Sequence, residues 1–429
     1  MADDGCALTE VPALVDKALK QVAAEQGYKK PRFTVYPGSS RSEGFLSTVY
    51  RATIHDEDGS GPADLSVMCK VSLNVMENIM TDVFAAEGHV YGKVLPALEV
   101  AGKDFMTSPM WPRAFHLGTS GPLPHTVTLE DFRPLGFRPP DRRKPLDLDH
   151  CRLITKQLAK LHAAGFLLKH HQPEKFEALK APLGNLFDSD EMRQNFKPII
   201  SDIARMPEML VDRWSEDTEI FRVMKKACDT AFENFSIMVE PRTWPNDGEG
   251  CCLVHGDCQV NNVAFKYDEA TGRPTDCLLF DFQIVHYAAP TVDLVRVLVV
   301  STDRELRAAH FDDLLRGYLR DLHAHLRAGG IKDPDSIYSW DLMQRHMRRT
   351  VLFGAMMQPV MFNILYSDEE VVAKVQDALA KAGAGEEYHS EMEFTPVMRK
   401  AFQDTVGDIA DRGWLPTEQE IDRWFHEGC

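Results

Sequence analysis

Two aspartates and one asparagine between residues 252 and 283 are the side chains in this sequence best spaced to act together. Asp257 follows a short apolar run, Asn262 comes after four intervening residues, and Asp281 ends a second apolar run. A hydroxyl group that attacks a γ-phosphate needs an acceptor for its proton, which a carboxylate on a rigid loop can supply. Mg²⁺ prefers a few carboxylate and amide oxygens beside the phosphates. The spacing therefore predicts three catalytic residues, with Asp257 as the base and Asn262 and Asp281 as metal ligands.

A purely structural interpretation of these residues is also open. Aspartate is common in turns at strand ends, so Asp257 and Asp281 could each serve only a turn. The two apolar runs flank a turn that contains Gly272 and Pro274, which is typical of a β-hairpin. Three polar residues around one hairpin, residues 252–283, favour the catalytic interpretation over three unrelated turns.

A lysine and a glutamate near the start of the chain are predicted to form an ion pair. In the predicted strand at residues 65–71, alternation places Lys70 on the face opposite Val67 and Cys69. The following helix carries Glu87 on its apolar stripe, where a carboxylate is costly unless it meets a cation. Paired with Glu87, Lys70 would be held against the α- and β-phosphates of a nucleotide. Alternatively, Glu87 lies at the edge of the stripe and meets water.

A loop at residues 38–45 joins two predicted strands and includes Ser42 and Gly44. Such a loop could close over nucleotide phosphates with its backbone N–H groups, and these two residues are predicted to contact the cofactor. Hairpin loops also contain glycine simply because the turn requires it. The sequence contains neither GxxxxGK(S/T) nor GxGxxG, so a P-loop or a dinucleotide-binding motif has no support.

Two further strands, around residues 114–117 and 126–129, are predicted to complete an antiparallel sheet. The backbone of Leu129, Glu130 and Asp131 then leads into a segment rich in proline and glycine. Its polar groups could bond the edge of an adenine ring. An ordinary interdomain linker would have the same composition, and both interpretations remain open.

The chain becomes helical in character after residue 148, which predicts an α+β protein in two parts. The N-terminal lobe, residues 1–131, combines the small antiparallel sheet with one key helix and binds the nucleotide. The mainly helical C-terminal lobe, residues 132–429, contains the catalytic hairpin and a substrate pocket. Asp149 and Thr291 are predicted helix N-caps, and Asp293 is interpreted as structural. Later helices are expected near residues 303–328, 335–366, 368–382 and 396–427.

Composition excludes several classes of function. The formal net charge of −17 and the pI near 5.4 argue against a surface for nucleic acid or an anionic membrane. The 9 cysteines show no metal-ligand spacing and are expected to be reduced. The N-terminus is acidic, unlike a signal peptide, and the most apolar long window, residues 351–365, is interrupted by Gln358, Pro359 and Asn363. We therefore expect no membrane span and a cytoplasmic location.

Taken together, these segments resemble the ecdysteroid kinase-like family, also called CHK kinase-like, within the group of choline kinases and aminoglycoside phosphotransferases. The stretches that carry the resemblance are Thr128–Phe137, Leu158–Ala163, Val254–Asn262, Phe280–Gln283 and Pro290–Leu294. The resemblance implies a bilobal protein-kinase-like fold and phosphorylation of a small-molecule hydroxyl group with ATP and Mg²⁺. The implied acceptors are steroid alcohols such as ecdysteroids, or xenobiotics.

The resemblance also implies a role for each matched residue. Lys70 and Glu87 correspond to the family's strand lysine and helix glutamate, Asp257 to its base, and Asn262 and Asp281 to its metal ligands.

Three positions depart from the family pattern. Ser42 and Gly44 stand where the phosphate loop usually has a glycine and an asparagine, and Gln259 stands where a tryptophan is common. These departures predict altered loop–phosphate geometry and an altered acceptor preference.

The chain between Asp281 and Pro290 is short, with nine positions from one residue to the other. Kinases that act on proteins have a similar layout, but their segment after the metal-binding aspartate is longer and provides a platform for a peptide. The short segment here therefore favours a small-molecule alcohol as the partner. Two alternatives remain, a protein kinase and a catalytically inactive pseudokinase that binds a nucleotide and serves as a ligand- or partner-binding module. The intact set of predicted site residues favours an active enzyme.

Overall fold

The structure is a computed structural model. It describes residues 6–38, 47–59, 61–72, 77–120, 125–184, 197–234, 248–365 and 392–426, together with residues 370, 374, 377 and 381. The predicted phosphate-loop residues Ser42 and Gly44 lie outside the described residues, and so does most of the predicted helix at residues 368–382.

The N-terminal part is built on one five-stranded antiparallel sheet with the strand order β1-β2-β3-β5-β4. Its strands are β1 (Pro31–Pro37), β2 (Ser47–Asp56), β3 (Leu65–Ser72), β4 (Ala114–Gly118) and β5 (Thr126–Glu130). Its helices are α1 (Ala13–Glu25), α2 (Glu77–His89) and α3 (Leu95–Ala101), with a π-helical turn at Val90–Val94 between the last two.

One face of this sheet is covered by α1. The helix buries Val15, Leu19 and Val22 at a spacing of three to four residues, and these pack with Val67 and Cys69 of β3. Because side chains alternate along a strand, Met68 and Lys70 point to the other face of the sheet, as predicted. The alternation therefore aims the lysine toward the helical part of the protein.

The C-terminal part is mainly helical. Its helices are α4 (Leu148–His171), α5 (Pro173–Lys180), α6 (Lys197–Arg205), α7 (Glu219–Asn234), α8 (Thr291–Val295), α9 (Arg304–Ala328), α10 (Trp340–Leu365), α11 (Pro396–Asp411) and α12 (Glu418–His426). The long helices α4 and α9 pack against each other and contribute to the main hydrophobic core. The predicted buried helix at residues 351–365 is the second half of α10, where Phe353, Met356 and Met357 are buried.

Two small pairs of strands carry the predicted catalytic segment. Strand β6 (Cys252–Val254) pairs with β9 (His286–Ala288), and β7 (Val263–Tyr267) pairs with β8 (Pro274–Leu279). The β7–β8 pair is the predicted hairpin. Helix α8 follows β9 and continues into a π-helical turn at Arg296–Val300.

The α+β, kinase-like fold class is confirmed, and the corrections concern helix ends. Asp147, not Asp149, caps α4, because its side chain accepts the backbone N–H of His150. Thr291 is the first residue of α8 and caps nothing. The predicted helix at residues 396–427 is two helices, α11 and α12, because the chain turns at Gly413 with φ +68°, which ends the first. No helix among the described residues combines the length and the apolar run that crossing a bilayer requires.

Candidate active site

Lys70 binds two carboxylates, one on helix α2 of its own N-terminal part and one just after the hairpin of the C-terminal part. Its Nζ donates to Glu87 Oε2 at 2.9 Å and to Asp281 Oδ1 at 2.6 Å. Glu87 is 1% exposed, so it does not lie at the solvent edge of its helix. The predicted ion pair is thus present, and Asp281, more than two hundred residues downstream, belongs to the same cluster.

The ammonium group of Lys70 is fully satisfied by its surroundings. A third acceptor, Gln283 Oε1, lies 3.2 Å from Nζ. Burial disfavours the charged form of Lys70, but the nearby Asp281 and Glu87 outweigh it, and the pKa of the lysine is raised above its ordinary value. The lysine is therefore a permanent cation at the junction of the two parts.

Asp257 lies on a tight turn that leaves strand β6. Gly256 in this turn has φ +84°, and a Cβ there would collide with the carbonyl oxygen of Ile284, so only glycine fits. The backbone N–H groups of His255 and Gly256 donate to Oδ2 and Oδ1 of Asp293, each at 2.8 Å. The turn is thereby clamped by a carboxylate from the start of α8.

Asp293 is itself held from the opposite side by His162. The Nε2 of His162 donates to Asp293 Oδ2 at 3.0 Å, and the hydroxyl of Tyr318 lies 2.8 Å from Nδ1 of the same ring. Burial alone would raise the pKa of Asp293, but hydrogen bonding to His162 and to the backbone lowers it. Both residues are fully buried, which agrees with the structural role expected for Asp293.

Asn262 links the turn of Asp257 to the hairpin. Its Nδ2 donates to the backbone carbonyl of Asp257 at 2.8 Å and to the Oδ2 of the same residue at 2.9 Å. Gln259 Nε2 donates to the other carboxylate oxygen, Oδ1, at 3.0 Å. Side-chain amides therefore orient both carboxylate oxygens of the predicted base. One of these amides belongs to Gln259, which stands where a tryptophan is common in the family.

Arg296 is a residue of this cluster that the sequence analysis missed. It lies in the π-helical turn after α8, is 3% exposed, and places Nη1 at 3.3 Å from Asp257 Oδ1. An arginine inside the apolar run from Val292 to Val300 could have been noticed by the argument that identified Glu87, since a charge on a buried stripe requires a partner.

The environment of Asp257 has opposing effects on its charge. Burial raises the pKa of Asp257 above its usual range, the guanidinium of Arg296 opposes this shift, and the carboxylate of Asp281 adds to it. Asn262 donates its side-chain amide to the carboxylate of Asp257 and accepts the N–H of Phe280, the residue before Asp281. The predicted base and the predicted metal ligand are therefore neighbours.

Asp281 is held in an unusual backbone conformation. It has φ +67° and is the one non-glycine residue in the left-handed region among the residues the structure describes. The preceding Phe280 donates its N–H to the carbonyl of Asn262 at 3.1 Å and accepts from His255 Nε2 at 3.0 Å. Strain of this kind persists where the surroundings over-determine the conformation, which is common at functional sites.

The residues predicted to contact adenine are partly used by the sheet. The N–H of Glu130 donates to the carbonyl of Arg113 at 2.8 Å, and the N–H of Asp131 donates to the carbonyl of Ser66 at 3.1 Å. Leu129 pairs with Met68 within the sheet. Within the described part of the chain, the next N–H, that of Phe132, has no hydrogen-bond acceptor. Any donor for an adenine edge is therefore shifted one residue beyond the predicted stretch.

A small apolar cluster lies beside this backbone and connects the two parts. Met68 from β3 and Phe280, which directly follows β8, pack against a core of Phe132, Phe137, Ala264 and Leu278. The rings of Phe132 and Phe280 are stacked with centroids 5.2 Å apart. An aromatic ring system placed against this cluster would contact Phe280, the residue before Asp281. It would also contact Met68, which lies two residues before Lys70 on β3.

The donor set fits a hard divalent cation. Asn262 turns its Nδ2 toward Asp257, and no described residue donates to its Oδ1 or to Asp281 Oδ2. Oxygen ligands that lack protein partners are those that Mg²⁺ takes, usually one or two of them with waters and phosphates. Among the described residues, no group of three or more His, Cys, Asp or Glu side chains forms a metal cage.

The small antiparallel sheet, its lysine paired with a helix glutamate, and the carboxylates gathered around the hairpin define a kinase-like phosphotransferase. A family model described as the ecdysteroid kinase-like family matches residues 41–330. The match covers well over half of the chain, and the protein belongs to the ecdysteroid kinase-like family. No curated protein matches the chain.

Proposed function

We propose that this protein transfers the γ-phosphoryl group of ATP, with Mg²⁺, to a hydroxyl group of a small molecule. The observation that carries the proposal is Lys70, which contacts both Glu87 and Asp281 and so brings the sheet against the hairpin that holds Asp257 and Asn262. Family membership and the kinase-like fold support it independently.

Each of the gathered residues has a distinct task in this proposal. Lys70 would bind the α- and β-phosphates while Glu87 keeps its ammonium group in place. Asn262 and Asp281 would hold Mg²⁺, which neutralises charge on the phosphate oxygens when it is bound. The base, Asp257, would accept the proton of the acceptor hydroxyl, and its two amide partners fix the plane of its carboxylate.

The transfer step follows from these positions. The hydroxyl oxygen forms a bond to the γ-phosphorus, the bond from this phosphorus to the β–γ bridging oxygen breaks, and ADP leaves. The proton of the hydroxyl passes to the carboxylate of Asp257. Most of the rate enhancement would come from positioning and electrostatics, since such a transition state needs little covalent help from the protein.

The nucleotide base would lie against the apolar cluster of Met68, Phe132 and Phe280. In this proposal the Phe132 N–H is the donor to the adenine edge, because the N–H groups of Glu130 and Asp131 already serve the sheet. The carbonyl groups of the predicted stretch remain the acceptors. This refines the adenine contact expected at residues 129–131 without moving it to another element.

The acceptor class is a small alcohol, for which steroid alcohols and xenobiotics are the leading candidates. The short chain between Asp281 and Pro290 supports this, since it offers no platform for a peptide. A cytoplasmic location is part of the proposal, because ATP is the phosphoryl donor. The protein would act without a nucleic acid or a membrane as partner.

The test uses purified protein, Mg-ATP and a panel of sterols, amino alcohols, sugars and hydroxy acids, with products identified by mass. We expect a phosphomonoester from the wild type and at least a roughly 10²-fold slower reaction from Asp257→Asn, as for loss of a general base. Binding of Mg-ATP, measured by calorimetry, should survive in the variant. A matched control is Asp268→Asn, which removes the same charge in the exposed turn of the same hairpin.

Two outcomes would count against the proposal. Equal turnover by Asp257→Asn would remove this carboxylate from the mechanism. Tight binding of Mg-ATP with no phosphorylated product from any alcohol would instead favour the nucleotide-binding module without catalysis.

A further inference from the structure

Arg296 is a buried cation next to the proposed base, and the mechanism above does not use it. It is 3% exposed, and its Nη1 lies 3.3 Å from Asp257 Oδ1. It reaches the turn of Asp257 from the π-helical turn after α8, so it comes from a different element than the base.

The contact between Arg296 and Asp257 is poorly made for a structural salt bridge. Gln259, not Arg296, donates the hydrogen bond to Asp257 Oδ1. The Nε of Arg296 is buried and has no acceptor among the described residues, and the guanidinium lies over the ring of Phe353 at 5.0 Å. A buried arginine with an unsatisfied N–H is costly to keep for stability alone. What it supplies is a positive charge beside the base.

We propose that Arg296 is a specificity-determining residue that selects the acceptor by charge, so that uncharged or anionic alcohols are accepted and cationic alcohols are rejected. This inference rests on the proposed function, because it assumes that the acceptor hydroxyl is held at Asp257. It goes further by stating the class of acceptor and the side chain that sets it.

The argument is electrostatic. An acceptor hydroxyl must lie within hydrogen-bond distance of the Asp257 carboxylate, which places the rest of the acceptor within several ångströms of the guanidinium. A lone buried carboxylate would attract a cationic acceptor, whereas the pair of Asp257 and Arg296 has no net charge. Repulsion between the guanidinium and an ammonium group is weakly screened here, because Arg296 is buried and Asp257 is only partly exposed.

The other charged groups that face Asp257 do not supply this selection. Asp281 is paired with Lys70, and Lys70 also serves Glu87, so these charges belong to the nucleotide side of the cluster. His255 donates its Nε2 to the carbonyl of Phe280 and holds the hairpin. Among the residues the structure describes, Arg296 forms its ion pair with the proposed base. It is also attracted by Asp293, but that carboxylate is already bonded by His162 and by the N–H groups of His255 and Gly256.

The test compares acceptors of equal shape and different charge. Choline and its uncharged isostere 3,3-dimethylbutan-1-ol form one pair. The fastest neutral alcohol of the panel and its trimethylammonium derivative form a second pair. We expect the wild type to have at least about tenfold higher kcat/KM for the neutral member, and Arg296→Met to reduce this ratio by about tenfold or more. Arg296→Lys should keep the ratio, because it keeps the charge.

The ratio separates this proposal from a structural role and from the proposed function. A folding defect in Arg296→Met lowers both members of a pair equally and leaves their ratio unchanged. Arg320→Met, in the exposed part of α9, is the control for a lost positive charge. A wild type that prefers the cationic member, or a ratio that Arg296→Met does not change, would overturn the inference while leaving phosphoryl transfer intact. Failure to phosphorylate any alcohol would refute the proposed function itself.

Discussion

Asp293→Asn is the substitution that most directly tests how the fold places the proposed base. Asp293 accepts three hydrogen bonds with two oxygens, from the N–H groups of His255 and Gly256 at 2.8 Å and from His162 at 3.0 Å. Asparagine has nearly the same volume, so the change leaves no cavity. It replaces one acceptor oxygen with an NH₂ group, which then faces an N–H donor that has no other partner.

The magnitude follows from the kind of bond that is lost. Hydrogen bonds to a charged acceptor contribute about 1.5–3 kcal/mol each, and a buried donor without a partner costs about 1–3 kcal/mol. With asparagine, all three hydrogen bonds lose their charged acceptor, and at least one of them is lost entirely. We therefore expect the free energy of unfolding to fall by about 3–5 kcal/mol, a large fraction of the stability of an ordinary domain.

Catalysis should suffer as well, because Asp293 holds the turn from which Asp257 projects. A displacement of the base by about 1 Å can cost about 10²-fold in rate. The assays are urea unfolding at pH 7.5 and phosphoryl transfer to the best acceptor. The control is Asp303→Asn, the exposed N-cap of α9, where asparagine caps as well as aspartate and stability should change by less than about 0.5 kcal/mol. If both variants lose equally little stability, the clamp does not hold the turn.

Two further predictions address buried charges. Lys70→Met should abolish phosphoryl transfer and destabilise the protein by about 3–5 kcal/mol, because Glu87 is left buried without its cation, and adding Glu87→Leu should restore stability but not activity. Burial, together with Arg345 and Arg349, lowers the pKa of His346 to about 3. The pKa of this histidine in the unfolded chain is about 6.5, so between pH 6.5 and pH 3 the unfolded state binds more protons than the folded state. The free energy of unfolding should therefore decrease by about 1.4 kcal/mol for each pH unit within this interval as the pH falls. Unfolding at pH 7.5 and pH 5.0 should show a difference for the wild type that is about 2 kcal/mol larger than for His346→Gln. An equal difference in both proteins would contradict the assigned burial of the imidazole.

The features that sequence reasoning predicted are those with local causes. The direction of Lys70 follows from alternation along one strand, and the burial of Glu87 follows from one helical stripe, so each could be deduced within a dozen residues. The hairpin with Asn262 and Asp281 has its own turn signals. The contact between Lys70 and Glu87 could then be predicted on the single assumption that two opposite charges on buried faces meet.

The features that sequence reasoning missed depend on how distant segments of the chain pack together. The contact of Arg296 with Asp257 and the clamp from Asp293 join elements separated by strands β7, β8 and β9, and no periodicity encodes such a distance. The misplaced N-cap at Asp149 has a different reason. Asp147 and Asp149 are both suitable caps by residue type, and the choice depends on where the preceding chain enters the helix.

The left-handed conformation of Asp281 bears on the two purposes that Lys70 has in the proposed function, which are to bind phosphates and to pair with carboxylates. The backbone before Asp281 is fixed by Asn262 and by His255, which bond the N–H and the carbonyl of Phe280. The backbone that leads into Asp281 is therefore held by contacts other than that with Lys70. In the proposed function, phosphates would take the ammonium group away from Asp281 while Lys70 keeps its contact with Glu87. The carboxylate oxygen freed in this way would then be available to the cation that accompanies the nucleotide.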